Sequence, residues 1–513
     1  MAQKLLWKTS FFFFLCSTAT SIAQTLSSTV VDSVTQKPIP YVTVQLNNKG
    51  VITNEEGRFS FLLDDGVTEK DSLFVSCIGY ESVGKPLSEF SGNTIVLQPK
   101  AIELQEVLVS NKNYTADEII DLVEDNLEKN YTEDYTKKRL FFRKSNFSRI
   151  IQTDYELKKS TIEAFNKKFI DSVISTIPPT NSYYTEVLGD LYGNYDKDEQ
   201  KFKLIKASEL YDKSMEVDLE KLEEKFNSII KENVKTDSYF KIKSGLFGTK
   251  VDADELFESD IDSTDVAALN EELKKEKENE EHQKKNFADY RRRMLGDIME
   301  SLPITGDSDL NFITKSRKYE YTLENFTYLG NNPVYVITFI PKGSADYRGT
   351  LYINVDDFAL IRADFENVKP VKTFKLLGIS LNRYLYKGKI IFAKGNEDHY
   401  RLQYFENEIG NRMGIKRPLK IIEKNRHVKG RNKQNELSAK VDLVFTASEK
   451  NEVVVFENTP LSSQDFENYK AQNDVLPTYM PDYDPTFWEG YSIIEPNQAI
   501  KEFTSVPDPT AKD

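Results

Sequence analysis

Histidine and cysteine are the scarcest reactive residues of this 513-residue chain, which has three of the former and two of the latter. His282, His399 and His427 do not stand in the His-Glu-x-x-His spacing of zinc peptidases, so that class is excluded on ligands. The sequence also lacks a Gly-x-Ser-x-Gly elbow, a phosphate-binding loop and a dinucleotide fingerprint. We therefore predict no catalytic residues, no cofactor and no metal, and we expect a protein that is not an enzyme.

Long apolar runs are missing after the first 23 residues, and the mean hydropathy is −0.52. This composition excludes an integral membrane protein built from helices. The net charge of −14 argues against nucleic acid as a partner, and the one basic triplet, Arg291-Arg292-Arg293, lies among acidic residues. A carboxylate pair for glycoside hydrolysis could be hidden among the 82 acids without leaving a local mark, so a carbohydrate-active enzyme stays open as a further alternative.

The first residues have the layout of a secretory signal peptide. Lys4 and Lys8 precede an apolar core, Phe11–Leu15, and the small residues around Ala23 suit a signal peptidase. We predict cleavage after Ala23 and export to the periplasm or the outer membrane. A lipoprotein anchored through Cys16 is the alternative, although Leu15 stands where such signals carry a small residue.

Residues 24–109 show the period-2 pattern of short strands. Val42, Val44 and Leu46 alternate with polar residues, and so do Phe59, Phe61 and Leu63, while Ser72–Ile78 is apolar enough to predict a strand buried on both faces. Gly and Asn punctuate these segments at the spacing of hairpin turns, which predicts an all-β sandwich. Cys77 lies in the third segment, and we predict a buried, unreactive thiol without a disulfide partner once Cys16 is removed.

Several pieces of this stretch together resemble the carboxypeptidase-regulatory-like domain, a prealbumin-like module. They are Val31-Asp32, Pro38–Val42, Thr53–Phe59, Ser76–Tyr80, Ile95–Leu97 and Leu104–Val109. The resemblance implies a fold and a Gram-negative envelope context, as at the N-terminus of TonB-dependent receptors, and it implies no peptidase activity. Such receptors continue into a plug and a barrel, whereas this chain continues into charged helices.

After Val109 the pattern becomes helical. The capping box Thr115–Glu118 opens a predicted helix over 116–129, and a second apolar stripe runs along 216–235. A third helical region, over 265–301, has a middle without apolar residues, which we interpret as a solvated helix or a disordered insertion, and then Phe287, Tyr290, Met294 and Ile298 form a docking face. Pro303 and Gly306 mark a predicted boundary.

From Asp309 onward, consecutive strand patterns predict one large curled antiparallel sheet. About 60 residues with a Gly349–Asp356 strand and an Ala359–Phe365 strand resemble half-barrels of the lipoprotein-localisation type. That resemblance implies an apolar ligand in the concavity, and the alternative is a sheet packed on the helices of the middle region. The tail from Pro477 is rich in aromatic residues and Pro; we predict that it clamps the surface through its rings, and sugar stacking by Trp488 and Tyr491 is the alternative.

The fold class predicted is therefore α+β and multidomain. The predicted divisions are a signal peptide (1–23), a β-sandwich (24–109), a mixed helical region (110–305), an antiparallel β-rich domain (306–476) and an aromatic tail (477–513). We expect a non-enzymatic binding or scaffolding protein of the cell envelope, without a transmembrane helix in the mature chain, whose partners are outer-membrane proteins, a glycan or a lipid. A periplasmic carrier that holds a lipid in the C-terminal β domain is the alternative function.

Overall fold

The structure is a computed structural model, and it describes most of the chain. The predicted signal peptide with Cys16, and the segment Leu104–Val109, lie outside the described residues. For residues 214–220, 223, 251–252 and 266–278 only the backbone is described. The described ranges are 25–47, 49–63, 66–90, 94–100, 114–131, 134–234, 238–245, 247–252, 266–306, 308–395, 399–425, 427–428, 432–471 and 475–505.

The described part of residues 25–97 folds into two small facing sheets, here called the module. Its strands are β1 (Thr25–Asp32), β2 (Thr43–Leu46), β3 (Lys49–Ile52), β4 (Arg58–Leu62), β5 (Ser72–Ser76), β6 (Val83–Pro86) and β7 (Thr94–Leu97). The first sheet has the order β4-β1-β7 and the second the order β3-β2-β5-β6. Val42, Val44, Leu46, Phe59 and Phe61 are buried in one core, which confirms the sandwich-like pattern.

The prediction that Ser72–Ile78 is buried on both faces is wrong. Leu73 and Val75 are buried, but Phe74, which points the other way, is 55% exposed. The strand therefore covers the module core with one face only. Cys77 is buried as expected, and burial raises the pKa of its thiol to about 11, which keeps it protonated and unreactive at neutral pH.

The predicted helices are present, with shifted ends. The capping box of Thr115 and Glu118 forms, and the first helix is interrupted at Asn126. Among the described residues the helices are α1 (Ala116–Asp125), α2 (Leu127–Asn130), α3 (Lys167–Thr176), α4 (Ser214–Asn233), α5 (Val266–Glu300), α6 (Ser463–Asn468) and α7 (Gln498–Lys501). No described helix is long and apolar enough to cross a membrane.

Besides its helices, the middle region supplies long strands to the fold. These are β8 (Thr136–Ser160), β9 (Thr180–Gly193), β10 (Gln200–Tyr211), β11 (Ser238–Ser244) and β12 (Phe247–Asp252). Ten consecutive residues at the end of β9 are buried. A strand buried on both faces shows no alternation of apolar and polar residues, so its period-2 signal is absent from the sequence.

The later part of the chain is β-rich, as predicted. Its strands are β13 (Tyr319–Leu329), β14 (Asn332–Pro341), β15 (Tyr347–Asn354), β16 (Leu360–Asn367), β17 (Lys372–Leu376), β18 (Ile379–Lys394), β19 (Tyr400–Asn425), β20 (Lys433–Pro460) and β21 (Thr478–Met480). Two strands predicted at 400–406 and 419–425 are one, since β19 stays paired with β18 and β20 along its length.

One sheet unites these strands with those of the middle region. Its order is β13-β14-β15-β16-β18-β19-β20-β8-β9-β10-β21, with β17 paired to β18 and the β11–β12 hairpin paired to β19. β20 pairs with β8 over almost its whole length, so strands from both sides of Pro303 and Gly306 share the sheet. The sheet is open, with β13 and β21 at the two ends of this order.

Both faces of the large sheet are buried at its centre. Leu140 and Phe142 point to one core, here called the inner core, whereas Phe141 between them points to the other, the outer core. The helices α1 and α5 fill the inner core, with Ile119, Ile120, Leu295 and Met299 fully buried. The sheet thus packs on helices of the middle region, which is the second of the two alternatives weighed for its concave side. The module and the tail cover the outer core.

The docking face predicted for α5 is correct except at one position. Ile298 is buried, and Phe287 and Met294 pack partly buried against the inner core. Tyr290 is instead 47% exposed. In the charged part of the helix, Lys284 pairs with Glu280 at 2.9 Å on the solvent side, as the i,i+4 spacing indicates.

Gly57 is the turn residue on which the module depends most. Its φ is +70°, and a Cβ there would approach the Val30 carbonyl oxygen at 2.7 Å and the Pro38 Cβ at 2.9 Å. We expect Gly57→Ala to lower the free energy of unfolding by about 1–3 kcal/mol, because a strained backbone and a clash coincide. Urea denaturation measures the loss.

Gly66→Ala is the matched control for Gly57→Ala, because nothing lies within 4 Å of a Cβ at Gly66. It should leave stability within about 0.5 kcal/mol of the wild type. Equal effects of the two substitutions would show that the geometry of the Gly57 turn does not constrain the module.

Candidate functional site

A row of charged side chains crosses the outer face of the large sheet, one from each of six neighbouring strands. Each member is paired in register with the next, so all point to the same side. From β16 to β9 the row consists of Asp364, Lys389, Glu406, Glu452, Arg143 and Glu186. We call it the charged row.

The two ends of the charged row are closed ion pairs. At one end, Lys389 Nζ lies 2.6 Å from Asp364 Oδ1, and Arg362 donates to the same carboxylate at 2.6 Å. At the other end, Arg143 and Glu186 are almost completely buried, and the guanidinium donates to Glu186 Oε1 from Nε at 2.7 Å. A buried pair needs this close geometry to offset the loss of hydration.

The centre of the row has too much negative charge. Glu406 and Glu452 are direct cross-strand neighbours, and one ammonium serves both: Lys450 Nζ lies 3.5 Å from Glu406 and 3.3 Å from Glu452. The same ammonium lies 2.6 Å from Glu55 of the module. Three carboxylates therefore share one cation.

This arrangement shifts the pKa values of its members. Burial raises the pKa of Glu406, and Glu452 adds to the rise, while Lys450 opposes it. For Lys450, burial acts to lower the pKa, but the carboxylates of Glu452, Glu406 and Glu55 outweigh burial and raise it. Burial lowers the pKa of Lys389 despite Asp364. The pKa values of Glu406 and Lys450, at the centre of the row, are thus both raised.

Tyr41 of the module fits onto this centre. Its hydroxyl donates to the Glu406 carboxylate at 3.1 Å, and its ring lies 5.6 Å from the ring of Tyr404 and under the Lys389 ammonium. The backbone of Tyr41 has a φ of +60°, which is rare for a residue with a Cβ. Thr43 adds a hydrogen bond to Gln403 at 3.0 Å. Ion pairs, a cation–π contact and hydrogen bonds together fix the module on the sheet.

A second contact holds the far end of the module. Gly79 N donates to the Tyr328 carbonyl at 2.9 Å, and Ile78 forms a bridge with Leu329. Lys100 Nζ donates to the Gly330 carbonyl at 2.8 Å. The module is therefore anchored at two separated points of the large sheet.

The aromatic tail lies between the module and the sheet. Trp488 is 3% exposed, packs edge-on against Phe141, and donates from Nε1 to Glu186 at 2.7 Å. Arg143 donates to the carbonyl of Ile494 at 2.6 Å. The tail is thus an intramolecular clamp, as predicted.

Tyr491, the second residue considered for sugar stacking, lies against the same clamp. Its ring is 6.4 Å from that of Trp488 and 4.9 Å from the ammonium of Lys206. On the module side, Asn54 donates to the Glu495 carbonyl at 3.2 Å. The tail therefore contacts both partners: Glu186 of β9, at the end of the charged row, and Asn54 of the module.

An open pocket of about 620 Å³ lies beside the charged row, between the module and β14 to β19. Its charged side chains are already paired. Arg348 lies 2.5 Å from Glu366, and Lys387 lies 2.7 Å from Glu408. A charged ligand would have to break such pairs, so we assign the pocket no ligand.

Lys138 is a second buried cation with an altered pKa. Burial lowers its pKa to about 7, and the ammonium donates to Thr136 Oγ1 at 2.6 Å and to the Gly193 carbonyl at 2.9 Å. A lysine that titrates near neutrality is often functional. Lys138 lines neither the open pocket beside the charged row nor the apolar cavity described below.

An apolar cavity of about 220 Å³ lies at the other end of the long strands. It is enclosed by α3 and α4 on one side and by β11, β19 and β20 on the other. Its wall is almost wholly apolar, and a few polar groups of β8, β19 and β20 stand at one edge. The lining residues are Ser160, Ile162, Phe165, Phe169, Ile170, Phe226, Ile230, Phe240, Ile242, Ile421, Glu423, Asn435, Glu436 and Leu437.

The sequence indicated only part of this cavity. The apolar stripe predicted over 216–235 supplies Ile230 and Phe226, and Phe226 stacks on Phe165 at 5.4 Å. The predicted role of that stripe was packing on the chain's own domain, and Ile229, Ile230 and Val234 are indeed buried. What the sequence could not indicate is that α3 and the β11 hairpin stand opposite the stripe.

The three histidines do not come together. His282 lies on α5 beside Asn286, His399 contacts the Lys129 carbonyl at the start of β19, and His427 is exposed beyond the end of β19. Within the described part of the chain, no three His, Cys, Asp or Glu side chains are grouped as a metal site would need.

Comparison with known families bears on the module. Residues 26–109 match the family model of the CarboxypepD_reg-like domain. They are a carboxypeptidase-regulatory-like domain. In this protein the domain is joined to a large sheet by a shared core, and its Glu55 and Tyr41 side chains take part in that junction.

Comparison with solved structures gives weak likenesses. A LolA superfamily protein from Nitrosomonas europaea is 9% identical, and the match covers 69% of this chain and 98% of that one with a TM-score of 0.16. The MucA/MucB complex of Pseudomonas aeruginosa is 6% identical, with 65% and 93% covered and a TM-score of 0.15. No curated protein matches the sequence.

Glu406→Gln tests the excess negative charge of the charged row. A carboxyl whose pKa is raised by folding contributes stability at low pH, and that contribution is lost as the pH rises through the folded-state pKa. Gln resembles the protonated form at every pH. We therefore expect the free energy of unfolding of Glu406→Gln, relative to wild type, to rise between pH 4 and pH 7 in urea denaturation.

The control for Glu406→Gln is Glu408→Gln on the same strand, where the carboxylate pairs with Lys387 near solvent. It should change stability by less than about 1 kcal/mol at both pH values. A Glu406→Gln protein that loses stability relative to wild type as the pH rises would refute the charge argument.

Trp488→Ala tests the clamp. The substitution should lower the free energy of unfolding by about 3–5 kcal/mol, because it removes a buried ring from the outer core. Trp488→Phe keeps a ring but leaves Glu186 without the indole donor, and should cost about 1–3 kcal/mol. Unchanged stability together with lost retention on a glycan array would favour the sugar-stacking alternative instead.

Proposed function

We propose that this protein is a non-enzymatic binding protein of the cell envelope, and that it holds the acyl chain of an anionic amphiphile in the apolar cavity beneath α3 and α4. The cavity is the observation that carries the proposal. The signal-peptide pattern of residues 1–23 and the carboxypeptidase-regulatory-like domain support the proposed localisation in the cell envelope.

The size and lining of the cavity suit an alkyl chain. Apolar cavities of about 150 Å³ stay dry and bind small apolar molecules such as benzene, and this one has about 220 Å³. Each methylene group moved from water into such a site contributes about 0.8 kcal/mol. A chain segment of several carbons is therefore a favourable occupant.

The polar edge of the cavity favours a negatively charged head group. Glu436 lines that edge, and three lysines surround its carboxylate: Lys420 at 2.7 Å, Lys159 at 3.5 Å, and Lys433 in direct contact. Glu423 is a second carboxylate at this edge, so three ammonium groups lie near two carboxylates. A fatty acid or a phospholipid could place its chain among the apolar residues and its anion beside these lysines.

This site differs from the concavity suggested by the half-barrel pattern. The inner face of the sheet at that place is covered by α1 and α5. The ends of β8, β19 and β20 extend beyond those helices, and there α3 and α4 cover a separate, smaller core. The proposed carrier therefore holds its ligand at the strand ends.

Ile230→Trp should abolish ligand retention, because the larger side chain of this buried residue would fill the cavity. Native mass spectrometry of the exported, purified protein should show a co-purified acyl species on the wild type and none on the variant. In a titration with dodecanoate, wild type should bind more tightly than Ile230→Trp. The Kd values should differ at least tenfold, which corresponds to about 1.4 kcal/mol of binding free energy.

Phe374→Trp is the control for Ile230→Trp, since Phe374 is exposed on β17, away from the cavity. It should retain the acyl species. Lys420→Gln should weaken dodecanoate binding, most strongly at low salt. The proposal fails if the wild type neither carries an acyl species nor binds dodecanoate, or if Ile230→Trp binds as well as wild type.

A further inference from the structure

A second cleft, of about 760 Å³, lies on the inner face of the large sheet, beside the last turns of α5. Side chains of α5, of the segment after it, and of β15, β18, β19, β20 and β8 line it. It lies outside the apolar cavity and shares no lining residue with it.

The floor of this cleft begins where the inner face changes from apolar to polar. Phe142, Phe405 and Val453 point into the inner core. The next residues on the same face of these three strands are polar: Lys144, Asn407 and Asn451. They are paired in register with one another, so they form a polar row across the strands. Buried polar groups are costly unless they are hydrogen-bonded, so a polar row here needs a partner.

The hydrogen bonds of the row are incomplete. Asn451 Nδ2 donates to Asn407 Oδ1 at 2.9 Å and to Glu449 Oε1 at 2.8 Å, and Lys144 Nζ lies 2.7 Å from Glu449 Oε2. Asn451 is only 4% exposed, yet its Oδ1 accepts no hydrogen bond from any described residue. An unpaired buried carbonyl costs about 1–3 kcal/mol.

The walls of the cleft combine aromatic rings with donors and acceptors of both signs. Tyr290 is the one residue of the predicted α5 docking face that stays exposed, and it stands at the cleft. Further lining comes from tyrosines of β15 and β18 and from charged side chains at the rim: Tyr347, Tyr386, Arg293, Asp297, Asp309 and Arg383.

We propose that this cleft binds a neutral oligosaccharide. Sugar hydroxyls donate and accept at once, so carboxylates, guanidinium groups and amides can all serve them, while the exposed ring of Tyr290 can cover an apolar face of the sugar ring. A purely apolar ligand would leave the polar row unpaired. A ligand of one charge would meet both arginines and aspartates.

The test is an array of soluble neutral and charged oligosaccharides, followed by calorimetry with the best neutral hit. Wild type should retain neutral oligosaccharides, and Tyr290→Ala should weaken the binding at least tenfold. Asp309→Asn should weaken it as well, since that carboxylate accepts from hydroxyls. Both positions are exposed, so the melting temperature should stay within about 2 °C of wild type.

Tyr384→Ala is the matched control, because Tyr384 has nearly the same exposure as Tyr290 and does not line the cleft. It should bind as wild type. Ile230→Trp should also bind sugar normally, which separates this site from the acyl cavity. Retention of charged glycans alone, no retention of any glycan, or binding that survives both cleft substitutions would overturn the proposal.

Discussion

The large sheet must be buried on both of its faces, and the rest of the structure depends on that constraint. In β8, β19 and β20, successive side chains enter different cores, so that Phe141 packs under the tail while Phe142 packs under helices. Removing either cover would expose a continuous apolar surface to water. The carboxypeptidase-regulatory-like domain is therefore part of the core of this protein.

The charged row decides how that domain sits on the sheet. Apolar contact alone would allow the module to slide, whereas buried carboxylates and ammonium groups are stable only opposite their partners. At the centre of the row, Tyr41 of the module donates to Glu406 and Glu55 of the module pairs with Lys450. At the end of the row, the tail accepts a hydrogen bond from Arg143. Three carboxylates lie close to Lys450 at this junction.

The two proposed binding sites lie away from this junction, and they differ in chemistry. The apolar cavity forms where the ends of the long strands extend beyond α1 and α5. There α3 and α4 cover the strands instead. The polar cleft forms where the inner face loses its apolar side chains beside the end of α5. A chain that binds an acyl group at one place and a sugar at another would suit a surface where both occur.

The sequence by itself determined the module, the α+β class, the helices predicted over 116–129, 216–235 and 265–301, and the β-rich later part, because turn residues, caps and periodic patterns are local signals. It also placed Cys77 and Trp488 in buried positions. It missed β9, since a strand buried on both faces has no alternation, and it missed β10, although that strand alternates over part of its length. It also did not identify either of the two proposed binding sites. Asn407 stands between Phe405 and Ile409 on one face of its strand, which is a visible but weak signal. Only the tertiary structure decided that Asn407 and Asn451 meet, because cross-strand register and the placing of α3 opposite α4 depend on contacts between residues far apart in the chain.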